Sequence, residues 1–228
     1  MKKKYEFTGE TKEHEGRVLH RIRRISDGLV GGWIEREFNL SHEGDCFVHD
    51  GAMVFDNAKV SNNAEVFGNA RIFGYAEIFG YARIFGDARI FGDVVIYGDA
   101  MVFDNAEIYD NSEIYGNAEV YDYARVYGYA EVFGNAEIYG NAEIYDGRIA
   151  GQISQPYKDI FQHQCKNRGL TAILTEDNEI LYSVGCQNNI TKETFLDRIY
   201  NENGGLKKNP HRKEYLKLIP AIEQYFRS

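Results

Sequence analysis

Three arginines, each two residues before an aromatic side chain, are the residues of this chain whose types and spacing most directly suggest chemistry. The set consists of Arg71, Arg89 and Arg125, with Phe73, Phe91, Tyr109 and Tyr127 at the same 18-residue spacing. Guanidinium groups pair with phosphates and aromatic rings stack on bases, so the pattern is compatible with a nucleotide-like ligand. The alternative, which we favour, is that Glu107 and Glu143 pair with the arginines across neighbouring strands.

Two apolar residues interrupt a position that is charged in most copies of a repeated phrase. Val95 and Met101 take this position in consecutive copies, and Tyr97 and Phe103 each follow two residues later. We expect the four side chains to form an exposed apolar patch, a feature that commonly marks protein–protein contacts. The expected partner is another protein or a second copy of this chain, which would make a homo-oligomer.

These residues belong to a six-residue phrase that repeats between residues 48 and 147, as in residues 66–71 (VFGNAR). Its aliphatic position is Val or Ile in all 17 copies: Val48, Val54, Val60, Val66, Ile72, Ile78, Ile84, Ile90, Ile96, Val102, Ile108, Ile114, Val120, Val126, Val132, Ile138 and Ile144. β-Branched residues favour strands, and a small residue two positions earlier points to the same strand face. Each copy is therefore predicted to send one small and one branched side chain into a core.

The position two residues after the aliphatic one is restricted to Gly, Asp or Asn. These residues tolerate positive φ best, so the restriction predicts a tight corner after each strand. Three corners close a triangular coil of 18 residues, and the 17 copies make about five and a half coils. The predicted fold is mainly β, a parallel β-helix of about 5–6 coils with aromatic side chains stacked along its outer faces.

Changes of composition divide the chain into three predicted domains. Residues 1–45 form an N-terminal β cap, residues 46–147 form the β-helix, and residues 148–228 form a C-terminal α+β unit with a hairpin and two helices. The open ends of a β-helix expose unpaired strand edges, so caps are expected. The C-terminal unit is interpreted as either a second cap or a separate recognition module.

Within the C-terminal unit, turn and helix signals predict individual elements. The hairpin is expected around residues 176–179, between two apolar runs. One helix is expected to begin near Thr191 and another after Pro210. Pro220 lies inside the second helical pattern and is expected to kink or restart it.

Charge and composition limit the classes of function. Residues 46–147 carry a net charge of −12 within a chain of net charge −9, so nonspecific binding of DNA or RNA is disfavoured. There is no apolar run that could cross a bilayer and no apolar stretch after the basic start, so we expect a cytoplasmic protein that does not enter membranes. Cys46, Cys165 and Cys186 form no CxxC pair, which predicts neither a disulfide framework nor a zinc cluster.

Four short segments and the repeat array together resemble a known group of proteins. The segments are residues 4–11 (KYEFTGET), 19–23 (LHRIR), 31–35 (GGWIE) and 39–41 (NLS). With the array that follows, they resemble bacterial and phage hexapeptide-repeat proteins, labelled as transferases or polymer-forming proteins, whose function is largely unassigned. The resemblance implies a left-handed coil, which periodicity alone does not determine. Because many members are encoded by phages or mobile elements, it also implies an accessory role, such as inhibiting a host defence component.

Resemblance to hexapeptide acyltransferases raises an enzymatic function that the residues do not favour. Those enzymes use a histidine as general base near a corner, whereas this array has no histidine after His49 until His163. A zinc site of the carbonic anhydrase type would need about three histidines. We therefore expect no catalytic residue, metal or cofactor. The hypotheses are a non-enzymatic interaction or scaffold protein, a nucleotide-ligand sequestering protein, and an acyltransferase-like enzyme.

Overall fold

A computed structural model describes residues 3–150, 159–165, 168–174, 179–184, 187–200 and 212–227. The main body is a parallel β-solenoid of about six turns, preceded by a β-hairpin and followed by a small unit of strands and helices. The predicted mainly β fold is thus confirmed. The left hand of the coil stays a prediction from the resemblance.

The chain begins with three strands, the last of which pairs with the edge of the solenoid. They are β1 (Tyr5–His14), β2 (Arg17–Arg24) and β3 (Val30–Ile34), and a short 3-10 helix follows at Glu37–Asn39. β1 and β2 form an antiparallel hairpin, β2 pairs antiparallel with β3, and β3 pairs in parallel with the first solenoid coil. The hairpin therefore continues one face of the solenoid.

The solenoid strands are two residues long, except for two that continue around a corner. They are β4 (Phe47–Val48), β5 (Met53–Val54), β6 (Lys59–Val60), β7 (Glu65–Val66), β8 (Arg71–Ile72), β9 (Glu77–Ile78), β10 (Arg83–Ile84), β11 (Arg89–Ile90), β12 (Val95–Ile96), β13 (Met101–Val102), β14 (Glu107–Ile108), β15 (Glu113–Ile114), β16 (Glu119–Val120), β17 (Arg125–Phe133), β18 (Glu137–Ile138) and β19 (Glu143–Ala150). Residues 18 apart pair in parallel, as Ile72 does with Ile90. This register confirms the predicted coil length.

Strand pairing sorts the solenoid into three faces. Face A contains β5, β8, β11, β14, the first half of β17 and the start of β19. Face B contains β4, β7, β10, β13, β16 and β18, and face C contains β6, β9, β12, β15 and the second half of β17. Because β3 pairs with β5, the N-terminal hairpin extends face A.

The interior is filled by the small and branched side chains that the repeat predicted. Every aliphatic residue of the repeat, from Val48 to Ile144, is at most 1% exposed. Ser112 replaces an alanine and is also fully buried, but its hydroxyl donates to the Tyr109 carbonyl at 2.7 Å. The substitution therefore leaves no unpaired hydroxyl in the core.

The buried ladder is longer than the sequence pattern indicated. Before the array, Ile34 and Leu40 already pair with the first full coil. After it, Ile149 pairs with Val132 although Arg148 breaks the phrase. Strand pairing therefore crosses both expected domain boundaries, and the three-domain division stays a prediction.

The corners adopt the backbone conformation that their composition predicted. From Asp56 to Gly140, the residue two after each aliphatic position has a φ between 55° and 86°. At Gly98, where φ is 77°, an added Cβ would lie 2.9 Å from the backbone nitrogen of Gly116 in the next coil. Aspartate corners gain a hydrogen bond instead, as when the Asp122 carboxylate accepts the N–H of Gly140 at 3.0 Å.

Continuous stacks of aromatic rings run along the outer faces. From coil to coil the ring centroids are 4.7–5.1 Å apart and the ring planes lie within 10° of parallel. Strands in a sheet are about 4.8 Å apart, so the backbone itself sets this distance. The predicted stacking of the aromatic rings from coil to coil is thus confirmed.

The N-terminal hairpin lies over the outer side of the first coil, where exposed side chains were expected. Leu19 packs on Met53 and Phe55, and all three are buried. The Arg17 guanidinium donates to the Asp56 carboxylate at 2.5 Å beside them. The outer positions of this coil are therefore covered, as expected for a cap.

The C-terminal unit is a four-stranded antiparallel sheet with two helices on one side. Its elements are β20 (Asp159–Cys165), β21 (Arg168–Leu174), β22 (Ile180–Val184), β23 (Gln187–Thr191), α1 (Lys192–Tyr200) and α2 (Arg212–Tyr225). The predicted pairing of the two apolar runs is confirmed as β21 with β22. The turn at residues 176–178 lies outside the described residues, as does Pro210. The strands β20 and β23 were missed.

This unit closes the second end of the solenoid. Ile173 and Leu181 pack on the solenoid core, whereas Tyr182 on the other side of the sheet packs on the helices. The sheet is therefore sandwiched between the core and the helices, which supports the interpretation as a cap. The helix α2 continues through Pro220, so the expected restart does not occur.

We expect Gly98→Ala to lower the free energy of unfolding by about 1–3 kcal/mol, because alanine is strained at positive φ and its Cβ would collide with the next coil. Urea unfolding followed by circular dichroism measures this. Asp99→Ala at the same exposed corner is the control, with an expected change within about 0.5 kcal/mol. Equal stabilities of the two variants would contradict the steric account.

We expect Phe103→Ala to lower the free energy of unfolding by about 1–3 kcal/mol, because it removes two ring pairs worth roughly 0.5–1.5 kcal/mol each. Phe103 stacks on Phe85 and Tyr121, both at 4.7 Å. Phe103→Tyr keeps both stacks and should be nearly neutral. Urea unfolding measures both variants. An equal loss of unfolding free energy in Phe103→Ala and Phe103→Tyr would show that ring stacking is not the cause.

Candidate functional site

The three predicted arginines lie in one column on the outer side of face A. Strand register places Arg71 beside Arg89, Arg89 beside Glu107, and Glu107 beside Arg125. The column and the adjacent corner between faces B and A line an open groove of about 460 Å³. The corner contributes Asn69, Asp87, Asn105 and Tyr123.

Two of these arginines are held in ion pairs, and the third is not. Arg89 pairs with Glu107 at 2.9 Å, and Arg125 pairs with Glu143 at 3.2 Å and with Glu107 at 3.5 Å. The cross-strand pairing favoured from the sequence is thus confirmed for these two. The Arg71 guanidinium has no hydrogen-bond or ion-pair partner in the described part of the chain, although its backbone N–H donates to the Ala88 carbonyl. The groove therefore has one guanidinium available at its N-terminal end.

The aromatic residues beside the arginine column offer ring edges rather than ring faces. The row contains Phe73, Phe91, Tyr109 and Tyr127, stacked at 4.9–5.0 Å from Phe91 onward. A base inserted between two rings would need roughly 7 Å between them, twice the optimal contact distance. Burial also raises the pKa of Tyr109 and Tyr127. This row is therefore a structural ladder whose rings are too close together for a base to lie between them.

A cluster of exposed tyrosines on face A was missed in the sequence. Tyr123 and Tyr129 are 65% and 72% exposed and lie at the two corners that flank the first half of β17. Arg125 and Tyr127 alternate outward between them, and Tyr145 in the next coil is 50% exposed. We term these five residues the tyrosine–arginine patch.

One sequence signal could have identified this patch. The second corner residue is Asn or Asp in most copies of the phrase, but it is tyrosine at Tyr75, Tyr81, Tyr123 and Tyr129. All four are 63–72% exposed. Three of them border face A, whereas Tyr81 lies at the corner between faces C and B. An exposed aromatic where a polar residue suffices indicates a contact surface.

The four residues of the predicted apolar patch lie on two neighbouring faces and are less exposed than expected. Val95 and Tyr97 lie on face C, whereas Met101 and Phe103 lie on face B across a corner. All four are half-buried, because residues of the adjacent coils cover them. Burial, and then a hydrogen bond to Glu113, raise the pKa of Tyr97 to about 12.

Face B carries an acidic pair with no compensating charge beside it in the strand register. Glu119 lies directly beside Glu137 in the next coil. Burial, and secondly the Glu137 carboxylate, raise the pKa of Glu119. The two faces therefore differ in charge: this part of face B is acidic, whereas the groove on face A is lined by three arginines.

The residues considered for catalysis do not converge on a site within the described chain. The His49 ring packs edge-on against Phe67, with Nε2 3.4 Å from a Glu65 oxygen. Cys46 is buried, and burial raises its pKa. Cys186 and the side chain of His163 lie outside the described part. Within the described part, no group of three His, Cys, Asp or Glu could hold a metal, and no helix has the length and apolar character of a bilayer span.

Comparison with known proteins supports the fold and leaves the function open. A model of the family described as YdcK Beta solenoid repeat matches residues 82–97, which is slightly less than one coil. The matched segment contains β10 of face B, β11 of face A and β12 of face C, with the two corners between them. No curated protein matches the chain. The chain is thus similar to a β-solenoid repeat over this short segment.

We expect Glu119→Gln to stabilise the fold at neutral pH by about 0.5 kcal/mol, because like charges directly opposite in a sheet are destabilising. A folded-state pKa above the unfolded value means that the folded protein binds the proton more tightly, so wild-type stability falls as pH rises through that range. The gain should therefore shrink as the pH is lowered to about 4, near the ordinary pKa of Glu. Urea unfolding at both pH values measures the gain in stability. A gain that does not depend on pH would contradict its assignment to the charge of Glu119.

Proposed function

We propose that the chain is a non-enzymatic interaction protein that binds a protein partner through face A of its solenoid. The observation that carries the proposal is the tyrosine–arginine patch. Tyrosine and arginine are the residue types most enriched among interface hot spots, together with tryptophan. Here they project from a sheet with continuous backbone pairing, so little conformational entropy is lost when a partner binds.

The chemistry of the patch specifies the kind of surface that fits it. Tyr123, Tyr127 and Tyr129 can bury ring area while their hydroxyls stay hydrogen-bonded. Arg125 is half exposed and shares its charge with Glu143, which is itself largely exposed. A partner that presents a carboxylate to Arg125 and shallow apolar recesses to the rings would satisfy both features.

The covered ends of the solenoid support docking on the side rather than end-to-end growth. The hairpin buries Met53 and Phe55 at one end, and the C-terminal sheet places Ile173 and Leu181 against the other. Side chains of the two flanking units thus cover both ends of the solenoid, although β4 and β18 remain the edge strands of the face B sheet. A lateral face is therefore the surface favoured for a heterologous partner.

The resemblance to bacterial and phage hexapeptide-repeat proteins suggests where the partner comes from. In that setting the chain would be an accessory protein that binds and inhibits a host defence component in the cytoplasm. The acidic solenoid still disfavours nonspecific nucleic acid binding. A second copy of this chain is the other occupant that the patch would accept.

We expect a double variant, Tyr123→Ser with Tyr129→Ser, to lose a partner that wild type captures, with affinity reduced at least tenfold. Tyr81→Ser is the matched control, because Tyr81 is equally exposed but lies away from face A. The measurement is affinity capture from the host with mass spectrometry, followed by titration of the purified partner. Light scattering of wild type and variant shows whether the partner is a second copy. Equal capture by the double variant and the control would refute the assignment to face A.

A further inference from the structure

The N-terminal hairpin brings a lysine over the end of the arginine column. The Lys12 ammonium lies 4.5 Å above the ring of Trp33. Trp33 pairs with Met53, and Met53 pairs with Arg71 in the next coil. Lys12 therefore lies over the strand two spacings before Arg71, next to the N-terminal end of the groove, although more than fifty residues of chain lie between it and Arg71.

Lys12 and Arg71 are the cations of this region that lack an acidic partner among the described residues. Their neighbours are compensated: Arg21 pairs with Glu10 and Asp50, and Arg89 pairs with Glu107. In addition, the strand register places Arg71 directly beside Arg89. Lys12, Arg71 and Arg89 thus follow one another along this end of face A, and Glu107 is the only carboxylate that forms an ion pair with any of the three among the described residues.

Burial and neighbouring positive charge both act against the charged form of Lys12. Partial burial lowers the pKa of Lys12, and Arg71 and then Arg21 lower it further, while Asp50 acts in the opposite direction. The net lowering means that the nearby carboxylate does not compensate for burial and like charge. An anion bound beside Lys12 would offset the repulsion from Arg71 and Arg21.

We propose that Lys12, Arg71 and Arg89 form a binding site for a phosphate-type dianion at the N-terminal end of the groove. Guanidinium groups match phosphate oxygens in pairs, and a lysine adds a point charge from another direction. None of these three residues belongs to the tyrosine–arginine patch, and they lie at the opposite end of face A from Tyr129 and Tyr145.

The groove beyond the site has room for more than a single phosphate. It continues past Arg89 to Tyr123, three strand spacings from Asn69, which is about 14 Å. Tyr123 is 65% exposed and makes no ring contact among the described residues, unlike the stacked row beside it. The phosphate could therefore belong to an inorganic oligophosphate or to a nucleotide whose base reaches Tyr123.

Isothermal titration of the full chain with pyrophosphate and with ATP, at low salt, tests the site. We expect both probes to bind wild type, and Arg71→Gln or Lys12→Gln to weaken both at least tenfold. Arg83→Gln is the control, because Arg83 is an exposed arginine on face B whose neighbours in the strand register are Glu65 and Met101. The affinity of Arg83→Gln for both probes should equal that of wild type.

The two sources of phosphate give different patterns. A nucleotide site predicts that ATP binds more tightly than pyrophosphate and that Tyr123→Ser removes only this difference. An oligophosphate site predicts no effect of Tyr123→Ser. No binding of either probe to wild type, or equal losses in Arg71→Gln and Arg83→Gln, would overturn the proposal. Thermal unfolding with and without pyrophosphate is the second readout: the melting temperature should rise in wild type but not in Arg71→Gln, and equal rises would also overturn the proposal.

Discussion

The distance between successive coils, fixed by backbone hydrogen bonds, is the constraint on which the rest of this structure depends. Each outward residue donates its N–H to a carbonyl in the following coil, as Phe103 does to Val120 at 3.0 Å and Phe85 does to Val102 at 3.0 Å. Strand spacing of about 4.8 Å is therefore imposed on every side chain at once. Side chains in equivalent positions must either stack favourably or repel, because they cannot move apart along the axis.

The same spacing accounts for the character of each outer position. Planar rings tolerate it well and form uninterrupted stacks. Opposite charges gain ion pairs, as in Arg89 with Glu107, whereas like charges are held together, as in Glu119 with Glu137. Positions where like charges are neighbours are thus the ones at which the repeat does not stabilise itself. Such positions are where a binding partner gains most.

The sequence predicted the interior and the corners well because both follow from local rules. Val or Ile with a small residue two positions earlier has only one way to bury both side chains in a strand, and Gly98 shows why the corner restriction is strict. The exposed state of outer side chains was predicted less well. Val95 was expected to be exposed, but it is half-buried between Glu77 and Glu113, its neighbours 18 residues away on each side.

The sequence by itself determined the coil, its length and the pairing of Arg125 with acidic neighbours, since a fixed period makes residues 18 apart adjacent. Only the tertiary structure decided that the hairpin folds over face A, that Lys12 approaches Arg71, and that Tyr123 and Tyr129 flank a single strand of that face. The physical reason is that periodicity specifies contacts within the array, whereas the packing of a non-repeating segment depends on the shape and charge of the whole surface it covers.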